Sequence, residues 1–471
     1  MLVSPRMRRL AVGIVFAASF IGLAFYFLEQ PILADGDSYY HLGIARQFNQ
    51  HGLLHDLPWA RFSVMRDGFG DKELLFHAAL SGITTLGEPH EMGRLALAFF
   101  NALLIALLAW LGMQALGWPG LLVPAFVYLG SYPFADRVSR LRPELMALSL
   151  MLLFIWLASR RRYVIVAIVC ACFAVSYTAF HVLGLLSVLF TIADRKLDWK
   201  LPASTCGGLA AGVLLHPHFP HNVVVWWYQN VLFFLYKNKV DVGTEIRPPA
   251  LRDTLLFHLP VVIALIVYWL SSRARDDEDA RPARYFLVTA ILFAILYVSM
   301  ARMVTWLVPL MVLAVVFRPR EIVHKRALGA GLAVLLIAAL LQTFVIFRQG
   351  TGEWHLAEAN YEALGRAIPN GAKVAADWRD GTVLVFFAPQ GRYLNVLDPV
   401  FMAARYPREF AISESIWNGK APDLAAALRA LDSDYILFVP TRERRLLQQR
   451  LERDPRFTPV FTRGAILARL N

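Results

Sequence analysis

Long uncharged stretches alternate along this chain with short clusters of charge. The run from Leu10 to Leu28 holds about nineteen residues without a charge, enough for a helix to cross the hydrocarbon of a bilayer. The run from Leu95 to Ala135 is roughly twice as long, which predicts a hairpin of two spans turning near Trp118-Pro119-Gly120. The same reading places spans near 10–28, 94–113, 119–134, 145–159, 163–176, 178–193, 202–216, 254–271, 285–300, 303–317 and 327–347. That is about eleven crossings, some short enough to need local thinning of the bilayer.

Basic residues fix the expected orientation. Arg6, Arg8 and Arg9 precede the first span, which predicts a cytoplasmic N-terminus. Counting crossings, the inner loops then hold Arg160–Arg162, then Arg195, Lys196 and Lys200, then Arg273, Arg275, Arg281 and Arg284, then Arg318, Arg320, Lys325 and Arg326. This is the positive-inside bias. It leaves 29–93, 135–144, 217–253, the junction at Arg302 and everything beyond 348 on the outer side, the periplasm of a bacterium. An amphipathic stretch at 73–86 is expected to lie along the surface, because counting it as a span would invert every later loop.

Beyond 350 the pattern changes. Buried strands are predicted at 373–376, 393–396 and 435–439, and amphipathic helices at 421–431 and 442–453. The fold class expected is a polytopic α-helical membrane protein with a small C-terminal α/β domain. Residues 1–347 form the membrane domain, with 29–93 as its first external loop, and 348–471 the external domain.

Composition sharpens this picture. Of 471 residues, 57% are apolar and 17% charged, and mean hydropathy is +0.49. A soluble chain carries closer to a quarter charged residues, so the apolar excess points to lipid. The net charge of +12 sits largely where topology places it and gives no case for nucleic acid. Cys170, Cys172 and Cys206 fall inside apolar runs and read as small core residues.

Three outer segments carry the candidate chemistry. The first is Asp35-Gly36-Asp37-Ser38-Tyr39-Tyr40-His41, just past the first span. A carboxylate near lipid is costly without a partner or a task; the same residues also suit an interfacial aromatic belt with a solvated acidic cap. The second is Asp136-Arg137-Val138-Ser139-Arg140-Leu141-Arg142-Pro143-Glu144. Three arginines on an outer loop run against the charge bias and call for anions nearby, either lipid headgroups or a phosphate-bearing substrate. Glu144 is placed to open a helix at its positive dipole end. The third contains Trp226-Trp227-Tyr228 and Gly243-Thr244-Glu245-Ile246-Arg247-Pro248-Pro249, where the prolines predict an extended loop that aims the glutamate. Arg302 stands between two apolar runs, where it could snorkel or bind a phosphate.

This ordered set resembles the GT-C membrane glycosyltransferases, and among them the oligosaccharyltransferase catalytic subunits. The resemblance rests on Asp37-Ser38-Tyr39-Tyr40-His41 with Ala45-Arg46 downstream, on Glu144 before a span, on Thr244-Glu245, and on Arg302 in Ser299-Met300-Ala301-Arg302-Met303. It also rests on Asp377-Trp378-Arg379-Asp380-Gly381, a degraded form of the family's tryptophan-aspartate-glycine acceptor motif. It implies Asp37 and Glu245 as catalytic residues. Arg302, Arg142, Tyr39, Tyr40, Trp378 and Asp380 become substrate-binding residues. A divalent metal, Mg or Mn, would be held by Asp37 and Glu144. The chain departs from the family where Arg142-Pro143-Glu144 replaces an acidic pair, and in the eroded acceptor motif.

The expected function is inverting transfer of a sugar or oligosaccharide from a polyprenyl-(di)phosphate-linked donor to a periplasmic acceptor, at the inner membrane. The acceptor is protein under the oligosaccharyltransferase likeness, or a lipid or polysaccharide under the wider GT-C one. A non-catalytic transporter of lipid-linked sugar is the rival reading. Its ionisable residues would be expected near the midplane, whereas here they gather at one face.

Overall fold

The computed structural model describes residues 4–30, 33, 35–195, 198–270, 272–274, 280–318, 320–322 and 358–471, with the isolated positions 333, 337 and 341. The expected span at 327–347 therefore lies outside the described residues. Two compact units form: one from Met1–Glu29, Arg94–Leu214 and Gly243–Thr351, the other from Gln30–Gly93, Leu215–Val242 and Gly352–Asn471.

The first unit is helical. Among the described residues, three helices are long and apolar enough to cross a membrane, Pro5–Leu28, Pro89–Leu116 and Arg281–Ser299. Ser4 caps the first of these through the Met7 N–H, with proline in the opening turn. Leu10, Ile14, Ile21 and Phe25 on it stay 55–70% exposed, an apolar surface of a kind that water-soluble proteins cover. Shorter apolar helices include Glu144–Ser159, Tyr163–Ser176 and His181–Ala193. The expected span at 119–134 is broken: a 3-10 turn, Trp118–Leu122, leads into Val123–Leu129, and a separate helix runs Tyr132–Val138. At the break the Gly130 carbonyl accepts from the Val261 N–H at 3.2 Å. Nearby, Asn101 donates to the Val138 carbonyl at 2.9 Å and accepts from Tyr128 at 2.9 Å.

Helix contact in this unit relies on small residues. Gly208 and Gly212 lie one turn apart on Lys200–Leu214, and a Cβ at either would stand 2.1 Å or 2.6 Å from the carbonyl oxygen of Ala167 or Ala171 on Tyr163–Ser176. Small residues four apart on both helices let the backbones meet, the association mode available in lipid, where burial from water drives little. Gly208→Val is expected to cost about 1–3 kcal/mol by overpacking. A thermal midpoint in detergent equal to that of the parent would refute this packing.

The second unit is α/β. Its strands are β1 (Lys373–Ala376), β2 (Arg392–Tyr393), β3 (Tyr435–Phe438), β4 (Phe457–Phe461) and β5 (Ile466–Leu470), in the order β2-β1-β3-β5-β4. β1 pairs in parallel with β2 and β3, and β5 pairs antiparallel with β3 and β4. The predicted strands at 373–376 and 435–439 match β1 and β3 within a residue. The one predicted at 393–396 shrinks to β2, and β4 and β5 were not foreseen. The predicted helices appear as Leu424–Ala430 and Arg445–Arg453. Leu424, Leu428, Ile436, Phe438, Leu447 and Leu451 fill the core beside the sheet.

The segment Gln30–Gly93 belongs to this unit, and part of it extends the sheet. The Arg61 N–H donates to the Tyr393 carbonyl at 2.9 Å and the Phe62 N–H to the Leu394 carbonyl at 2.8 Å. The Arg61 guanidinium reaches the Leu431 and Asp432 carbonyls and the Ser433 hydroxyl at 2.7–2.9 Å. The Asp37 segment is not a loop but a helix, Gly36–His51, capped by the Asp35 carboxylate on the Ser38 N–H at 3.0 Å. It packs against Trp378–Phe387, with the Tyr39 ring 5.8 Å and 5.0 Å from those of Phe386 and Phe387. A surface segment was expected at 73–86; there the helix Leu74–Thr84 buries Leu74, Phe76, His77 and Leu80.

Candidate functional site

Two clusters carry the candidate chemistry, one in each unit. In the helical unit the short helix Tyr132–Val138 and the turn after it deliver Arg137, Arg140 and Arg142 to the start of Glu144–Ser159. The 3-10 turn Thr244–Ile246 supplies Glu245, and the 3-10 turn Ala301–Met303 supplies Arg302. Proline before Glu144 and the glycine at 243, with φ of +89°, set these turns.

The geometry is a web of ion pairs. Glu144 accepts from Arg302 on one oxygen and from Arg137 on the other, each at 2.6 Å. Glu245 accepts from Arg137, and from Arg142 at 3.3 Å, with Arg140 at 3.7 Å and Arg302 at 3.9 Å. Asp136 takes Arg140 at 2.8 Å. Among the described residues, the guanidinium groups of Arg137, Arg140, Arg142 and Arg302 thus face the carboxylates of Glu144, Glu245 and Asp136. The Arg137 Nε has no acceptor among the described residues. Sequence reading named Arg142, Glu144, Glu245 and Arg302, and the structure brings all four together. It adds Arg137 as the central cation, legible beforehand only as one of three arginines on an outer loop.

Burial acts to raise the Glu245 carboxyl, but Arg137, Arg142, Arg302 and Arg140 outweigh it and hold the group well below the usual carboxylate range. A depressed carboxyl adds stability above its unfolded value, about 4.3, and loses it as pH falls toward the folded value. The thermal midpoint of the protein is therefore expected to drop on acidification below about pH 4, and Glu245→Gln to flatten that part of the curve. An unchanged slope in the variant would remove Glu245 from the account.

Both oxygens of Glu144 are engaged by guanidinium groups, so a divalent cation there would have to displace one of them amid like charge. The Mg or Mn site expected on Asp37 and Glu144 does not fit Glu144 as the structure holds it.

The α/β unit carries the second cluster. Asp37 lies in the first turn of its helix, near the positive dipole end, and shares a face with Tyr40 and His41. Tyr39 and Tyr40 are buried, at 0% and 1% exposure. Tyr39 accepts from the Leu33 N–H at 3.1 Å and donates to Glu358 at 2.5 Å. It is thereby fitted for holding the helix, not for stacking on a ligand. Burial, then the charges of Asp71, Glu73 and Asp37, push the Tyr40 hydroxyl well above the usual phenol range.

Next to them His77 holds Asp71 through Nδ1 at 2.8 Å and 2.9 Å, and its Nε2 lies 2.8 Å from His41 Nδ1. The Asp71 N–H donates to His218 Nδ1 at 3.2 Å, and the His218 N–H to His216 Nδ1 at 3.1 Å. A Cβ at Gly70 would stand 2.4 Å from the His221 carbonyl oxygen, so only glycine permits this approach. Sequence reading missed Asp71, Glu73, His77, His216 and His218. The spacing of Glu73 and His77, one helical turn, was the available signal.

Trp378 and Asp380 lie on the helix beside β1. Arg444 binds Asp380 at 2.9 Å and Asp377 at 3.1 Å, and Arg379 stacks over the Trp378 ring at 4.9 Å while pairing with Asp241 at 2.5 Å. Trp378, Asn395, Phe410, Glu414 and Trp417 line a narrow cleft there.

No family model and no curated protein matches the sequence. Solved structures do. The oligosaccharyltransferase of Archaeoglobus fulgidus superposes with a TM-score of 0.61 at 10% identity, over 90% of this chain and 69% of that one. ArnT from Cupriavidus metallidurans bound to undecaprenyl phosphate gives 0.59 at 15% identity, over 97% of each chain. The Archaeoglobus enzyme AglB in complex with an inhibitory peptide and a dolichol-phosphate gives 0.56 at 10%. At such identities the likeness concerns architecture: the chain shares the fold of the GT-C glycosyltransferases that its outer segments resemble.

Proposed function

We propose that the protein is a multi-pass membrane glycosyltransferase that draws a sugar from a polyprenyl-phosphate carrier and transfers it with inversion on the outer side of the inner membrane. The observation that carries this reading is the arginine web around Glu144 and Glu245. Its converging guanidinium groups, with Arg302 26% exposed, suit a phosphate oxygen, for which planar guanidinium groups are the fitting donors. About eleven crossings belong to this reading, with the N-terminus cytoplasmic and residues 348–471 external.

In the proposed mechanism Arg302 and Arg142 take the carrier phosphate, and Glu144 and Glu245 fix those cations in place. Preorganised cations stabilise the charge that builds on the phosphate as the glycosidic bond breaks. Asp37 accepts the proton of the acceptor hydroxyl or amide as that group attacks the anomeric carbon. No step needs a metal at Glu144.

A lipid or polysaccharide acceptor is preferred to a peptide. Arg444 occupies both carboxylates of the eroded acceptor motif, Asp377 and Asp380. The test uses purified protein in lipid nanodiscs with a polyprenyl phosphate carrying a radiolabelled sugar. Label is expected to move to lipid or polysaccharide acceptors and not to peptides. Label that stays on the carrier with every acceptor class would sink the reading.

A further inference from the structure

We propose that His41, His77 and Glu73 form a binding site for one transition-metal cation of the zinc type, with Asp71 as the outer partner that orients His77. One ligand atom from each of the three lies within 4.8 Å of the others, and all three residues are buried. The site belongs to the α/β unit alone and does not depend on the transfer reading.

Four observations converge on it. First, Asp71 holds His77 through Nδ1, which puts the proton there and leaves the Nε2 lone pair directed at His41. A carboxylate behind a histidine is the arrangement that fixes ring and tautomer in metal sites. Second, Asp71 and Glu73 are 1% and 5% exposed, and the lysine between them, Lys72, pairs with Glu73 at 3.0 Å. Two buried carboxylates with one ammonium leave a negative charge that a cation would balance. Third, Tyr40, Phe48 and Phe76 set their rings 6.1 Å from His77, an apolar wall that keeps bulk water away. Fourth, the donor set of two imidazoles and a carboxylate selects zinc, cobalt or nickel over magnesium, which prefers oxygen.

The two ring nitrogens now stand 2.8 Å apart, close enough to share a proton. A tetrahedral ion with bonds of about 2.0–2.1 Å separates its ligands by roughly 3.3 Å. Binding therefore replaces that proton with the ion and opens the pair by about half an ångström. Three protein ligands leave a fourth position for water or substrate.

The test uses the full-length protein in detergent, stripped with a chelator and titrated with Co(II). The visible spectrum of tetrahedral cobalt is expected to saturate at one ion per chain and to be displaced by zinc. Asp71→Asn should weaken the affinity about 10- to 100-fold, and Glu73→Gln should alter the spectrum. Absence of any cobalt spectrum in the parent protein overturns the proposal, leaving a shared proton as the content of the pair. So does a spectrum that survives His41→Ala combined with His77→Ala, which would locate the ion elsewhere, as at His216 and His218. None of these readouts involves sugar transfer, so a failed transfer assay and a failed metal titration remain separate results.

Discussion

Replacing Arg137 with alanine is expected to destabilise the protein by about 3–5 kcal/mol, the cost of breaking a buried pair from one side. The guanidinium is only 5% exposed and binds Glu144 at 2.6 Å as well as Glu245. Its loss leaves the buried Glu144, 7% exposed, and its neighbour Glu245 with fewer cations. Arg456→Ala offers the contrast. Arg456 pairs with Asp423 at 2.9 Å, but the two side chains are 42% and 48% exposed, and pairs of that kind contribute about 0–1 kcal/mol. Thermal unfolding in detergent, followed by tryptophan fluorescence, should separate the two variants clearly. Equal midpoints would mean that the web is solvated and not the buried unit described above. Arg137→Met combined with Glu144→Leu should recover part of the loss, since apolar residues of similar volume remove the stranded charge.

The second large effect concerns activity. Asp37→Asn is expected to lower the turnover of sugar transfer about 100- to 10,000-fold, the span usually assigned to a positioned general base. Folding should be preserved, because asparagine keeps the shape at the start of the helix and Asp35 still supplies its cap. The KM for the lipid donor should hold steady, since the phosphate is assigned to Arg302 and Arg142. A variant with parental turnover would remove Asp37 from the mechanism. A raised KM with unchanged turnover would reassign it to donor binding.

Much of the architecture was legible because it follows from patterns that physics enforces. The charge-free runs needed lipid, and helices such as Glu144–Ser159 and Tyr163–Ser176 fall where those runs predicted. β1 and β3 were visible as short apolar runs bounded by polar residues. β4 was not, because three of its five residues are exposed and it contains Pro459. The arginines at 137, 140 and 142 announced a need for anions by violating the charge bias. That the anions would be Glu144, Glu245 and Asp136 of the chain itself required the fold.

The Asp37 segment was misjudged as a loop because its helix has a mixed surface. Tyr39, Tyr40 and Leu42 are buried together with Ser38, His41 and Gln47, so no clean apolar stripe appears. The histidine cluster was illegible for a different reason. His41 and His77 come from separate helices, and neither helix alone suggests that their rings meet.

The assembly of the α/β unit from distant pieces has a consequence for biosynthesis. The helix bearing Asp37 rests on Trp378–Phe387, and the strand-like stretch at 60–62 needs the β2 edge. Both supports emerge from the ribosome more than three hundred residues later. At about 5–20 residues per second, the Asp37 segment waits on the order of tens of seconds for its floor. During that interval Tyr39 lacks the Phe386 and Phe387 rings on which it packs, and chaperones would be needed to shield it.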